Sequence, residues 1–219
     1  MVQLQPKLLT DTWVTATWNE YLRLIEDPAY AKAKGYYFNG QMRVETMGVG
    51  PDHASDNGII HVAITLFCAL KGIPLKGLIN CSYRKTGVRE AQPDVSYYVG
   101  DAALQPLHDR AILAPQGSSI TNLDESPAPD LAIEIADSSL DADLGKKRLL
   151  YEEMAIAEYW VVDVENAQIL AFQIINNGSQ RIAQSQVLPG LEMTVLSEAI
   201  ALRRQMDDSQ VVARLMSSF

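Results

Sequence analysis

The sequence predicts an α/β fold in which a mixed β-sheet is flanked by helices. Short β-type segments recur at residues 77–83, 95–99, 131–135, 159–163 and 169–175. Helical spacing of apolar residues appears around and between them, at 13–25, 53–70, 141–155 and 198–216. The order of strands, then a helix, then more strands calls for a mixed sheet with helical cover. The chain has 219 residues, 47% of them apolar and 21% charged. That suits one soluble domain whose core needs no covalent staple.

Taken in order, residues 1–12 read as an N-terminal tail, 13–197 as the domain and 198–219 as a helical extension packed on its outside. Trp18, Leu22 and Ile25 share one side of the first helix. Asn39-Gly40, set between alternating residues, signals a tight hairpin. Gly48, Gly50 and Pro51 break the chain before the second helix, for which Asp52 or Ser55 is the candidate cap. Between strands 95–99 and 131–135 lies a polar loop with Gly117, Ser118, Ser119 and three prolines from 115 to 129, the composition of a flap. A turn is expected at Asn177-Gly178, and Leu188-Pro189-Gly190-Leu191 closes the sheet region. No apolar run approaches the length of a bilayer span. Pro6 and Lys7 interrupt any apolar leader, and Cys68 and Cys81 lack metal-ligand spacing. A cytoplasmic protein with reduced thiols is the expectation.

The net charge of −9 argues against nucleic acid at first sight. Its distribution is uneven. From 57 to 89 there is no acid, while Lys71, Lys76, Arg84, Lys85 and Arg89 are basic. From 122 to 165 twelve acids meet only Lys146, Lys147 and Arg148. This is either chance asymmetry on a solvated surface or an anion-binding stretch beside an acidic metal site.

The chemistry concentrates in three places. In the strand 131–136 the side chains alternate, so Leu131, Ile133 and Ile135 share one face and Ala132, Glu134 and Ala136 the other. A carboxylate between alanines is either at a strand edge in water or buried, where it costs several kcal/mol unless a cation meets it. The following helix offers that cation. Advancing about 100° per residue from Leu140, Leu144, Lys147, Tyr151 and Met154 fall on one stripe, with Asp143 and Leu150 at its margin. Lys147 is central to the stripe and Lys146 points away. A lysine there either snorkels out or meets a carboxylate, and Glu134 is the nearest candidate. The third place is Pro93-Asp94, which opens either a turn or the strand 95–99. Two carboxylates and a lysine suit Mg²⁺, with Mn²⁺ as its substitute, because such ions take one or two carboxylates plus water and phosphate. The metal activates bound water, and the lysine orients that water, shuttles its proton or offsets developing charge. That is the toolkit of phosphodiester hydrolysis.

The order Pro-Asp, strand Glu, then Lys resembles the PD-(D/E)XK nuclease superfamily, and more closely the bacterial restriction-endonuclease family called Uma-two. The matching stretches are Pro93-Asp94-Val95, Pro129 to Ile135, Lys147 four residues before Tyr151, Glu158-Tyr159-Trp160-Val161-Val162-Asp163, the Gly40 hairpin, His53, and Leu188 to Leu191. Together they cover about 13–197. The resemblance implies a restriction-endonuclease-like α/β core, Asp94 and Glu134 as metal ligands with the main-chain carbonyl of Ile135, and Lys147 as the catalytic lysine. The superfamily's lysine normally stands two residues after the acid, where this chain has Ala136. The resemblance implies a lysine that has migrated to the next helix, and the small Ala136 leaves room for it.

By the same likeness His53 contacts metal or phosphate, or else it is a solvated residue at a helix start. Glu45 is either an additional acid or the product of strand alternation. Asp143 either pairs with Lys147 one turn on or makes a surface ion pair. Tyr151 reads as packing with a hydroxyl tether, His61 as a core or edge histidine, and Trp160 as a core residue. The expected activity is a metal-dependent DNA endonuclease, with a homodimer where both strands of a duplex are cut and no membrane partner. The competing expectations are a catalytically quiet DNA-binding or regulatory protein on the same fold, and a hydrolase of RNA or small phosphodiesters.

Overall fold

The computed structural model describes residues 10–46, 50–106, 111–113 and 119–219. Most of the expected N-terminal tail, and Gly48, Pro115, Gly117 and Ser118 of the expected breaks and loop, lie outside the described residues. The chain begins with strand β1 (Val14–Thr15) and helix α1 (Trp18–Ile25). The helix starts later than its apolar spacing suggests because Thr17 forms a capping box with Glu20, and β1 pairs with a later strand. Strands β2 (Lys34–Phe38) and β3 (Gln41–Glu45) form the expected hairpin, with Asn39 and Gly40 both at positive φ. Helix α2 (Pro51–Lys71) is capped by the backbone of Gly50, with Pro51 as its first residue, and ends at the left-handed Gly72.

The segment expected as one strand at 77–83 is two, β4 (Leu75–Ile79) and β5 (Tyr83–Lys85), separated by Asn80 at positive φ. They enter different sheets. After β6 (Arg89–Ala91), β7 (Val95–Val99), β8 (Ala111–Leu113) and β9 (Ser119–Asn122) comes β10 (Leu131–Ala136). The helix expected at 141–155 is broken into α3 (Leu140–Ala142), a π-helical turn over Asp143–Lys147, and α4 (Arg148–Glu153), with Gly145 at non-helical angles. Strands β11 (Glu158–Asp163), β12 (Gln168–Ile175) and β13 (Gly178–Ile182) follow. The β12–β13 turn is Asn176-Asn177, one residue earlier than expected, since both asparagines adopt the left-handed conformation. The chain ends in α5 (Met193–Arg203) and α6 (Asp208–Ser218), two helices instead of one, because Asp207 caps the second.

Two mixed sheets result where the sequence led us to expect one. A six-stranded sheet runs β13-β12-β11-β10-β7-β4, with β10 and β11 parallel. A seven-stranded sheet runs β1-β3-β2-β6-β5-β9-β8. On one face of the six-stranded sheet, Leu131, Ile133, Ile135, Tyr97, Trp160 and Val162 pack with Ile60, Ile64 and Phe67 of α2, Leu196 and Ile200 of α5, and Leu215 of α6. The C-terminal helices therefore belong to the main core and do not lie on its outside, and residue 197 falls within α5. On the opposite face, Ala132, Ala136, Tyr159 and Val161 meet Tyr36 and Phe38 of β2, Tyr83 of β5, and Leu150 and Tyr151 of α4. The predicted alternation of β10 thus sorts its apolar triad to the helices and its Ala-Glu-Ala face toward the hairpin. Among the described residues no helix is long and apolar enough to cross a membrane.

Candidate active site

Strand register brings the two acids together. Strands β7 and β10 are antiparallel, with Val95 opposite Ile133, so Asp94 comes beside Glu134 at the end of that ladder. Asp94 is buried. Its Oδ2 accepts the Ile135 N–H at 2.8 Å and lies 3.5 Å from His53 Nε2, while its Oδ1 pairs with the Lys34 ammonium. Burial raises the Asp94 pKa, but His53, Lys34 and the Ile135 amide together outweigh it and hold the carboxyl below the usual range.

Glu134 is 2% exposed and lies on a central strand, so the solvated-edge alternative falls away. Its carboxylate accepts hydrogen bonds from Tyr151 Oη at 2.6 Å and Tyr36 Oη at 3.1 Å, and sits 3.6 Å from Lys147 Nζ. Burial pushes its pKa up to about 8, against the opposing pull of Lys147 and with added repulsion from Asp94 and Asp143. It is an acid with too little positive charge around it.

Lys147 is 1% exposed and does not snorkel. Its nearest partners are not Glu134 but Glu45 and Asp143, each at 2.9 Å. The Tyr36 ring centroid is 4.2 Å from Nζ, a cation–π contact. The π-helical turn shifts Lys147 relative to a regular helix, yet keeps it inward and leaves Lys146 near the Trp13 ring. Burial alone would depress the Lys147 pKa; the carboxylates of Glu134, Asp143 and Glu45 overcome it and raise it, so the side chain stays an ammonium. Glu45 is held below its ordinary pKa by Lys147 and Arg43 despite burial, whereas burial keeps Asp143 above its own.

These groups line a cavity of about 630 Å³ whose walls include Lys34, Arg43, Glu45, His53, Asp94, Glu134, Ile135, Asp137 and Lys147. Five of the six side chains singled out from the sequence (Asp94, Glu134, Lys147, His53 and Glu45) therefore gather on its walls, Asp143 stands behind them against Lys147, and Ile135 enters through its amide. Sequence reasoning missed Lys34 and Tyr36. Their signal lay in the hairpin strand, where Lys34 and Tyr36 alternate onto one face and Lys34 stands opposite Glu45. The basic stretch 57–89 does not serve the cavity. Arg84 is spent on Glu90 and Glu26, Arg89 on Glu153, and none of the five cations lines the walls. Ion pairing occupies the two arginines, and Lys71 and Lys76 reach backbone carbonyls of Phe219 and Gln105.

The donor set suits a hard divalent cation. Two buried carboxylates stand side by side, and burial, with repulsion from Asp94, pushes the Glu134 carboxyl toward protonation. Among the described residues no group of three or more His, Cys, Asp or Glu side chains is placed to hold a metal ion by itself. A bound ion would complete its sphere from main chain, water or substrate, the habit of Mg²⁺ rather than of structural zinc.

This fold is shared with a crystal structure from Anabaena variabilis described as "a putative nuclease belonging to DUF820", at a TM-score of 0.54 and 15% identity over 84% of this chain and 98% of that one. The class is thus a mixed α/β fold shared with that structure. Residues 18–207 match the family model Uma2, described as "Putative restriction endonuclease", and the chain belongs to that family. No curated protein matched the chain.

Proposed function

We propose that the protein is a divalent-metal-dependent endonuclease that hydrolyses phosphodiester bonds of DNA. The observation that carries this reading is the buried cluster of Asp94, Glu134 and Lys147 at the wall of an open polar cavity. Asp94 and Glu134 would hold Mg²⁺ or Mn²⁺ with the Ile135 carbonyl. The ion would supply Lewis-acid polarisation of the phosphate and a more acidic water. Lys147 is kept charged by its carboxylates, so it acts as a donor and an electrostatic partner for developing negative charge, not as the group that takes the water's proton. Tyr36 and Tyr151 fix the Glu134 carboxylate, and the Ile135 amide fixes Asp94, so both ligands are set before an ion arrives.

The test is nicking of supercoiled plasmid with Mg²⁺ or Mn²⁺, run beside RNA and small phosphodiesters. Cleavage that disappears in Asp94→Ala, Glu134→Ala and Lys147→Ala supports the assignment. Full activity in all three variants would falsify it. Salt-dependent DNA binding without turnover would favour the quiet regulatory reading, to which the acidic net charge of −9 lends support.

A further inference from the structure

The two ammonium groups of the site differ in one respect that matters for cation exchange. Lys147 is enclosed and reaches three carboxylates within 3.6 Å. Lys34, on the first residue of β2, is 17% exposed along its side chain and, among the described residues, pairs with Asp94 alone. The other oxygen of Asp94 is tied to the Ile135 backbone amide at 2.8 Å. Oδ1 is therefore the oxygen that an incoming ion would use, and Lys34 sits on it. A buried carboxylate needs a counter-charge at all times. An ammonium on a flexible stem that opens into the cavity can supply one and still withdraw.

We propose that Lys34 is a resident counter-cation: its ammonium holds Asp94 in the metal-free protein, yields that oxygen when a divalent cation binds, and is then left on the cavity wall to meet the anionic phosphodiester. The inference rests on the metal-dependent reading of the site given above. It has two consequences of opposite sign. Removing the ammonium deletes a competitor for the ion and a positive charge beside it, so metal should bind more tightly. It also deletes a cation from the wall that faces the substrate phosphate, so substrate should bind less well. A residue whose role was only to support the fold would weaken both together.

Calorimetric titration of the full chain with Mn²⁺ tests this, using wild type, Lys34→Met, Lys34→Gln, Lys32→Met and Glu134→Gln, each first shown to unfold cooperatively in EDTA. Lys32 is an exposed lysine of the same cavity and controls for a general charge effect. Wild type should bind the ion, Glu134→Gln should lose it, and the Lys34 variants should bind about tenfold or more tightly. Lys32→Met should stay within about twofold of wild type, as expected for a screened surface charge. In plasmid nicking, the Lys34 variants should show a raised KM for DNA while their metal Kd falls. Lys34 variants with unchanged or weaker Mn²⁺ affinity, beside a wild type that binds and a Glu134 variant that does not, overturn the role of Lys34 and leave the metal site standing. Equal tightening in Lys32→Met likewise overturns it. Absence of binding in wild type overturns the metal site and this inference with it.

Discussion

Replacing Glu134 by glutamine should stabilise the metal-free protein, and by an amount that grows with pH. In the folded chain the carboxyl keeps its proton up to about pH 8, whereas 4.5 is its ordinary value in an unfolded chain. Across that window the folded state binds more protons than the unfolded state, so stability falls as pH rises. The contribution is fully present below 4.5 and is lost progressively up to about 8. At 1.36 kcal/mol per pKa unit, the loss amounts to about 3 kcal/mol by neutral pH and about 5 across the window. Glutamine does not titrate, still accepts from Tyr36 and Tyr151, and leaves Lys147 its two 2.9 Å partners. Asp94 does not blur the result, because its depressed pKa moves its own contribution below 3.8. Urea unfolding in EDTA, followed through buried Trp160, should show the glutamine variant gaining on wild type by about 3 kcal/mol between about pH 5 and pH 7. Mg²⁺ should stabilise wild type selectively and flatten its profile. A difference between the two proteins that stays constant over that pH range would refute the reasoning.

Three further outcomes follow from the same geometry. Lys147→Met should cost about 3–5 kcal/mol in urea unfolding at neutral pH, since it strands the buried Glu45 and Asp143 carboxylates, each 2.9 Å from the ammonium, without their shared cation; a loss under about 1 kcal/mol would show that these carboxylates neutralise by themselves. Tyr151→Phe should keep the fold while lowering metal affinity or turnover about 10–100-fold, because it removes the 2.6 Å donor that orients Glu134; wild-type affinity and turnover would make the tether idle. Gly77→Ala should lower stability by about 1–3 kcal/mol, since a Cβ there would stand 2.8 Å from His61 Cε1 and 2.9 Å from Tyr97 Cε1; an unchanged melting temperature would mean that the His61–Tyr97 stack shifts freely.

Much of the site was legible because it depends on periodicity. Alternation in 131–136 separated Glu134 from its apolar neighbours, and the two faces of β10 meet different layers as expected. Helical spacing put Lys147 inward and Lys146 outward even though the helix proved to be broken at Gly145. One residue of helical irregularity rotates a stripe without inverting it. The expected partners Glu134 and Asp143 both reach Lys147, at 3.6 and 2.9 Å, but Glu45 at 2.9 Å was not foreseen: spacing says which way a side chain points, not which of three carboxylates lies nearest.

The sequence by itself determined the fold class, the hairpin at Asn39-Gly40, the apolar face of β10 and the inward direction of Lys147. These are encoded in local patterns whose period matches the element that carries them. Only the tertiary structure decided that β4 and β5 enter different sheets, that α5 and α6 join the main core, and that Arg84 and Arg89 of the basic stretch are taken up in ion pairs. It also decided that Asp94 and Glu134 stand side by side and that Lys34 rests on Asp94. Those outcomes depend on strand register and long-range charge pairing across tens of residues, where no local period reports on distance. The buried, undercompensated Glu134 is the physical consequence: a carboxylate that the chain's patterns place on a strand, and that only packing deprives of water.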